Sequence, residues 1–400
     1  MPPVTTVEVT AARRAAYAVV RRVLTEGAWA DRALHGEARE LGPRDRALAK
    51  QLAFGTVQRR LTLDHVIDDL TKGTLEPGVR AALQLGLFQL MFLDRVAEHA
   101  AIAEAVELAK PSPGHRVVNA VLRRVQREGV TLPPDTTMRG AAIRHSHPEW
   151  LVAMWTKALG AEETRALLTA NNAPAELALR VNPLVEFDLS DIAGRRDGDT
   201  IVVDGPFDAL SHRGYAAGAF TPQSRASQMV APILAPRPGE RVLDLCAAPG
   251  GKTTHLAALM AGTGEIVAVE RHPGRARALR AAAVRMHADN VRVVRADAKD
   301  LTDVDAFDRV LLDPPCSGLG TLRSHPDLRW RVSPAAIRTL AAEQDALLAA
   351  ARRALRPGGV LVYSVCTISP TEERLAATDP TRTFPHRDGT DGFYIARHGG

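Results

Sequence analysis

Cysteine is scarce: the 400-residue sequence holds three, Cys246, Cys316 and Cys366, and no C-x-x-C pair. That excludes a disulfide scaffold and a cysteine-based zinc site, so no metal is expected. In a reducing cytosol all three are free thiols. Long apolar runs are also missing; none approaches the ~20 residues that span a bilayer. The N-terminal "MPPVTTVEVT" lacks the basic, apolar, small-residue order of a signal peptide, so a cytoplasmic protein away from membranes is expected. No internal repeat with a period of roughly 20–50 residues is present, which argues against a solenoid. Lysine is sparse beside arginine, and the net charge of +5 with a pI near 9.4 is mildly basic. Guanidinium groups suit phosphate recognition, although a genomic bias toward Ala, Arg and Gly gives the same composition.

What is present is enough for roughly two or three domains. Residues 1–132 read as all-α, with about five helices forming a bundle. In "AARRAAYAVVRRVLTEG" Ala16, Val20, Val23 and Leu24 share one face, and Gly27 follows as a C-cap. "GPRDRALAKQLAFGTVQRRL" starts near Pro43, and "PGVRAALQLGLFQLMFLD" is apolar all round, which places it at the bundle centre. "GVTLPPDTTMRG" reads as a linker. Residues 140–214 then predict a small α+β unit: a helical stretch from "HPEWLVAMW" and a short strand in "LALRVNPL". From 217 to 400 strands and helices alternate. The strands are "RVLDL", "EIVAVE", "VRVVRAD", "RVLLD", "GVLVYSV" and "GFYIARH". This spacing predicts a parallel, doubly wound α/β sheet of Rossmann-like type, which gathers ligands at the carboxyl ends of its strands.

The residues at those ends carry chemistry. After the first strand comes "DLCAAPGGK", a Gly/Ala/Pro loop opening a helix, and it is neither G-x-G-x-x-G nor a P-loop. Glu270 ends the second strand, where an acid accepts from ribose hydroxyls, and Asp297 ends the third, where a carboxylate accepts from an adenine amine. Together these point to an adenosyl ligand such as S-adenosylmethionine. The fourth strand runs into "DPPC", placing Asp313 and Cys316 at its end, and the fifth ends at Cys366. Methylation of a pyrimidine ring carbon gives a thiolate a task. Cytosine C5 is too weak a nucleophile until a thiolate adds at C6, and a carboxyl group near N3 assists that addition.

At these residues the sequence resembles the Nol/Nop/Sun family of RNA cytosine-5 methyltransferases, on "LDLCAAPGGKTTHLA", "LLDPPCSGLGTLRSHPDLRW", "YSVCTISPTEE" and "TPQSRASQMVA". The N-terminal "RDRALAKQLAFGTVQR", "LQLGLFQLMFLD" and "HAAIAEAVELAK" resemble a NusB-like RNA-binding domain, a pairing characteristic of the bacterial Sun type. The resemblance implies a substrate in small-subunit ribosomal RNA, S-adenosylmethionine as cofactor and a monomer without an obligate protein partner. It implies Cys366 as nucleophile and Cys316 as the cysteine that assists release of the methylated RNA. It implies Cys246, Ala247, Ala248, Pro249, Gly250, Gly251, Lys252, Glu270, Asp297 and Asp313 as the cofactor set, with Asp313 also suited to the target base. The sequence departs from the family at Val365, often threonine, and at Ser224, commonly an acid. It also departs between Glu373 and Gly392, which is short.

Other readings stay open. A redox pair of cysteines leaves the adenosyl-type loop and acids unexplained. A DNA cytosine-5 methyltransferase uses the same covalent logic, with its nucleophile typically in the P-C motif. A tRNA methyltransferase differs only in the helical regions, and a non-catalytic RNA-binding or antitermination factor has no need of the cysteine pair. Alone, Cys246 reads as loop packing. His145 and His147 read as linker or RNA-contact residues. Arg59, Arg60, Arg123 and Arg124 read as a solvated helix face that becomes a phosphate-binding surface beside an RNA enzyme.

Overall fold

The computed structural model describes residues 8–94, 96–110 and 112–399. Residues 1–7, on which much of the N-terminal reading rests, lie outside the described residues. Among the described residues no helix is long and apolar enough to cross a membrane. The chain forms two compact units. One runs to Asn172 and takes back Ser324–Arg331; the other comprises Ala173–Arg323 and Val332–Gly400.

The first unit is helical. Its centre is the helix Pro77–Phe92, which buries Val79, Ala81, Ala82, Leu83, Leu85, Leu87 and Phe88, as an all-round apolar sequence requires. Up to Glu128 there are seven helices among the described residues rather than about five. The stretch from Pro43 breaks at Arg59 (φ −90°, ψ 11°) into Pro43–Gln58 and Arg60–Leu70. The short helix Ala30–Glu37 buries only Ala30 and Ala33, too little for an apolar period to show. Three more helices follow, Met138–His145, Glu149–Leu159 and Ala161–Ala170, the last two divided by Gly160 at φ +86°. Two surface readings are corrected here. The Arg59 guanidinium lies 4.5 Å over the Phe92 ring, and burial lowers it to about 10. His147 is fully buried against Trp155, and desolvation holds its imidazole well below the usual range, so it is a core residue.

Ser324–Arg331 packs within this unit. Trp330 Nε1 donates to the Val57 carbonyl at 2.7 Å. Arg329 is fully buried and donates to the Ser146 carbonyl and Asn172 Oδ1, both at 3.0 Å. Asp327 accepts from the Ala30 N–H at 3.2 Å, and Arg331 lies 4.2 Å over the Trp29 ring.

The second unit holds two sheets. The smaller is antiparallel: β1 (Ala178–Val181), β2 (Gly194–Asp197), β3 (Thr200–Val203) and β4 (Phe220–Pro222), ordered β2-β3-β1-β4. The stretch 140–214 expected to form one α+β unit is therefore divided, its helices grouping with the first unit and its strands with the second.

The larger sheet comprises β5 (Arg241–Leu245), β6 (Glu265–Val269), β7 (Val291–Val294), β8 (Phe307–Leu312), β9 (Leu355–Val365), β10 (Thr381–Thr383) and β11 (Phe393–His398), ordered β10-β11-β9-β8-β5-β6-β7. β5 to β9 are parallel. Both their faces are buried, with Leu243, Leu245, Val310, Leu312 and Tyr363 on one and Val242, Ile266, Leu311 and Val362 on the other. The last strands differ from the parallel expectation, since β11 runs antiparallel to β9 and to β10. Between β9 and β11 lie only the short turn Pro370–Glu372, the three-residue β10 and the four-residue helix Pro385–Asp388, too little for a crossover helix. The order reverses at β5 and β8, the switch point where ligands bind. There Leu245 is in register with Val269 and Leu312, and Leu312 with Tyr363, which brings the residues after these strands to one edge.

Candidate active site

β5 delivers the chain into the glycine loop at Cys246, whose φ of +63° is unusual for a side-chain residue. Gly250, at φ +108°, precedes the helix Gly251–Leu259, and a Cβ there would lie 2.9 Å from Leu279 Cδ1. The helix start is held from the small sheet: Arg180 on β1 donates to the Gly251 carbonyl at 3.0 Å and to Thr254 Oγ1 at 2.8 Å. Burial brings the Arg180 guanidinium down to about 9.

Beyond this loop lies a cavity of about 250 Å³. Of the residues expected at the site, Cys246, Ala248, Glu270, Asp297, Asp313, Cys316 and Cys366 all line it. Ala247, Pro249 and Gly250 do not line it but shape the loop behind it, and Gly251 and Lys252 open the helix that follows. Glu270 accepts from the His272 N–H at 2.8 Å and stands 3.4 Å from Arg275 Nε. Asp297 accepts from the Lys299 N–H at 3.0 Å. Two carboxylates facing an open cavity, beside a loop that keeps side chains out of the way, suit the hydroxyls and amine of an adenosyl group and the positive charge of a sulfonium.

The reactive end of the cavity is built from β8 and β9. Cys316 Sγ and Cys366 Sγ are 3.3 Å apart. The hydrogen bond with Cys366, followed by burial, pushes the Cys316 thiol well above its usual range. Cys316 is thus held in its protonated form, while in the contact between the two sulfurs either can donate. Cys246 is pushed up to about 12 by burial and by the Asp313 carboxylate, which leaves it inert. Asp313 accepts from Lys252 Nζ at 2.7 Å and from Ser364 Oγ at 2.9 Å. Burial opposes the charge on Lys252, but attraction to Asp313 outweighs it and the ammonium is raised. The Lys252–Asp313 pair was not legible in the sequence, where both residues belong to the cofactor set and nothing joins them. The departure at Val365 also has a reason: this side chain is fully buried in the apolar layer beneath the sheet, while its neighbour Ser364 reaches the carboxylate. Ser224 caps the helical turn Arg225–Gln228, its Oγ accepting from the Ser227 N–H at 3.4 Å, a task an acid also performs.

Beneath the loop sits Asp244, fully buried, one oxygen accepting from Thr253 Oγ1 at 2.7 Å and the other unpaired. Burial raises its carboxyl to about 7. A carboxyl raised on folding stabilises most below its unfolded value, and that contribution is lost as pH rises through the folded value. The unfolding free energy of the protein relative to its Asp244→Asn variant is therefore expected to fall between about pH 4 and 7, by a few kcal/mol in all. Denaturant titrations of both proteins across that range test this; a difference independent of pH would show that Asp244 titrates normally.

Comparison with known proteins is consistent with this geometry. A family model described as 16S rRNA methyltransferase RsmB/F matches residues 231–379, a NusB family model matches 10–127, and an RsmF/B-like ferredoxin-like domain model matches 147–186. A probable ribosomal RNA small subunit methyltransferase B from Synechocystis is 37% identical over 96% of this chain and 98% of its own. The chain belongs to the ribosomal RNA small subunit methyltransferase B family. Another member, the methyltransferase B of Pseudomonas putida, is 35% identical over 96% of this chain and 97% of its own. Among solved structures, PH0851 superposes with a TM-score of 0.80 at 25% identity, covering 98% of this chain and 99% of that one. A methyltransferase homolog protein from Pyrococcus horikoshii gives 0.57 at 25% identity over 66% of this chain and 98% of its own. As a methyltransferase B family member the chain takes S-adenosylmethionine as methyl donor, and the loop and acids described above fit it.

Proposed function

We propose that this protein methylates C5 of a cytosine in small-subunit ribosomal RNA through a covalent adduct between Cys366 and C6 of the base. The observation that carries this reading is the pair of sulfurs 3.3 Å apart beside Asp313 in one cavity. S-adenosylmethionine, when bound, supplies the methyl group. Cys366 adds to C6 as the thiolate. Asp313, backed by Lys252, takes the polar edge of the base, where hydrogen bonding or a proton at N3 eases addition. After C5 is methylated its proton is lost and the C6–S bond breaks. The Cys316 S–H then stabilises the departing Cys366 thiolate, a role suited to a thiol that holds its proton. The relatives' names, which specify small-subunit ribosomal RNA, support that substrate, and the match of residues 10–127 to the NusB family supports an RNA-holding role for the helices within 1–132. A cytosine must be unstacked to reach such a cavity.

Transfer of isotopically labelled methyl groups to total RNA and to DNA, followed by mass spectrometry of the nucleosides, tests the proposal. Label is expected in small-subunit ribosomal RNA as 5-methylcytidine. Label confined to tRNA or DNA, or on another atom, overturns it.

A further inference from the structure

We propose that Glu372 is a positioning residue that holds Cys316 against Cys366 for product release, an inference that rests on the covalent mechanism above. Glu372 lies in the turn Pro370–Glu372 and is fully buried. Its Oε1 accepts from the Ser317 N–H at 2.8 Å and from Gln344 Nε2 at 3.2 Å. Its Oε2 accepts from Ser317 Oγ at 2.5 Å and Thr367 Oγ1 at 3.2 Å. Ser317 follows Cys316, and Thr367 follows Cys366. One carboxylate therefore gathers donors from the residues next to both cysteines, and the two hydroxyls are themselves 2.7 Å apart.

The surroundings reinforce this tie. Gln344 also donates to the Pro315 carbonyl at 2.9 Å, just before Cys316. Tyr363 on β9 donates to the Glu372 carbonyl at 2.7 Å and to Gln344 Oε1 at 3.1 Å. The carboxylate is balanced by these donors rather than by a hydrogen-bonded arginine or lysine among the described residues. Burying a charge in this way is costly unless every donor needs an acceptor. Of the groups facing it, the Ser317 N–H and the Gln344 side-chain N–H can only donate, and both hydroxyls donate to it as placed, so a carboxylate satisfies the set. A glutamine of the same size would turn an amine toward the Ser317 N–H or toward its hydroxyl. The loop carrying Cys316 would then shift, and the thiol would no longer meet Cys366.

The test uses the full-length protein with Glu372→Gln. Turnover is expected to fall roughly 10- to 100-fold, as loss of charge-assisted hydrogen bonds predicts, with cofactor affinity unchanged. RNA is expected to remain bound covalently in a denaturing gel, as with Cys316→Ala; a defect confined to folding would give no adduct. A second measurement needs no RNA. Phenylarsine oxide bridges two neighbouring thiols with loss of water, and wild type is expected to bind one equivalent through Cys316 and Cys366. Cys366→Ser removes this binding and Glu372→Gln weakens it. Wild-type arsenical binding in Glu372→Gln, or lowered turnover without adduct, overturns the positioning role. If Cys316→Ala also forms no adduct, the covalent reading itself fails, while the arsenical titration still decides whether Glu372 sets the sulfur spacing.

Discussion

In Cys366→Ala, methyl transfer to RNA is expected to fall by ~10⁴-fold or more, the scale seen when a catalytic nucleophile is removed. Without the thiolate, cytosine C5 never gains the electron density to take a methyl group, and the remaining binding contacts cannot replace it. No RNA should migrate with the protein in a denaturing gel. Cys316→Ala should behave differently, because its sulfur lies 3.3 Å from Cys366 and serves release rather than attack. There, turnover falls while protein-bound RNA accumulates with its base already methylated. Both variants should bind S-adenosylmethionine as wild type does, since the carboxylates of Glu270 and Asp297 are untouched. Full methylation by Cys366→Ala would remove it as nucleophile. Adduct in Cys366→Ala and none in Cys316→Ala would exchange the two roles.

Gly320→Ala is expected to destabilise the catalytic unit by roughly 3 kcal/mol or more. A Cβ at this position would lie 1.9 Å from the Gly392 carbonyl oxygen and 2.9 Å from its Cα, and backbone cannot rotate away as a side chain does. The approach is close because the Gly320 N–H donates to the Cys366 carbonyl at 3.0 Å while its own carbonyl accepts from the Gly392 N–H at 2.8 Å. The clash thus falls on the Gly392 backbone, which is tied through Gly320 to the Cys366 carbonyl. Gly274→Ala is the control in the same unit: it lies in the helix Pro273–Arg285, and a Cβ there meets only the tip of Arg277 at 3.8 Å. It should stabilise by about 0.5–1 kcal/mol. Thermal unfolding monitored by an optical probe checks both. A Gly320→Ala protein that melts with wild type would refute the steric reading.

How far the sequence reaches depends on whether the deciding contact is local. β5, β6 and β8 are legible because strands buried on both faces read as short apolar runs, and parallel register then brings Glu270, Asp313 and Cys366 to one edge without further information. β10 is three residues long, Thr381–Thr383, and carries no pattern of its own. The reversal of β11 follows from the lack of a crossover helix, which the apolar run "GFYI" does not reveal. Arg59 and His147 look like surface residues by type, but Arg59 is half-buried over the Phe92 ring and His147 is buried against Trp155. Glu372 is the clearest instance: its ties to Ser317 and Gln344 span 55 and 28 residues, and in the sequence it is one of two adjacent glutamates.

The excursion of Ser324–Arg331 bears on how the protein can be dissected. A gene fragment encoding Ala173 onward is not the catalytic unit, because it carries eight residues that fold with the helices. In that fragment the Trp330 indole and the Arg329 guanidinium, both satisfied by groups before residue 173, would stand as an aromatic and a cation with no pocket. An exchange of parts that cuts this chain once would separate the helices from their own last segment. A clean dissection of this chain therefore needs two cuts and a graft rather than one cut.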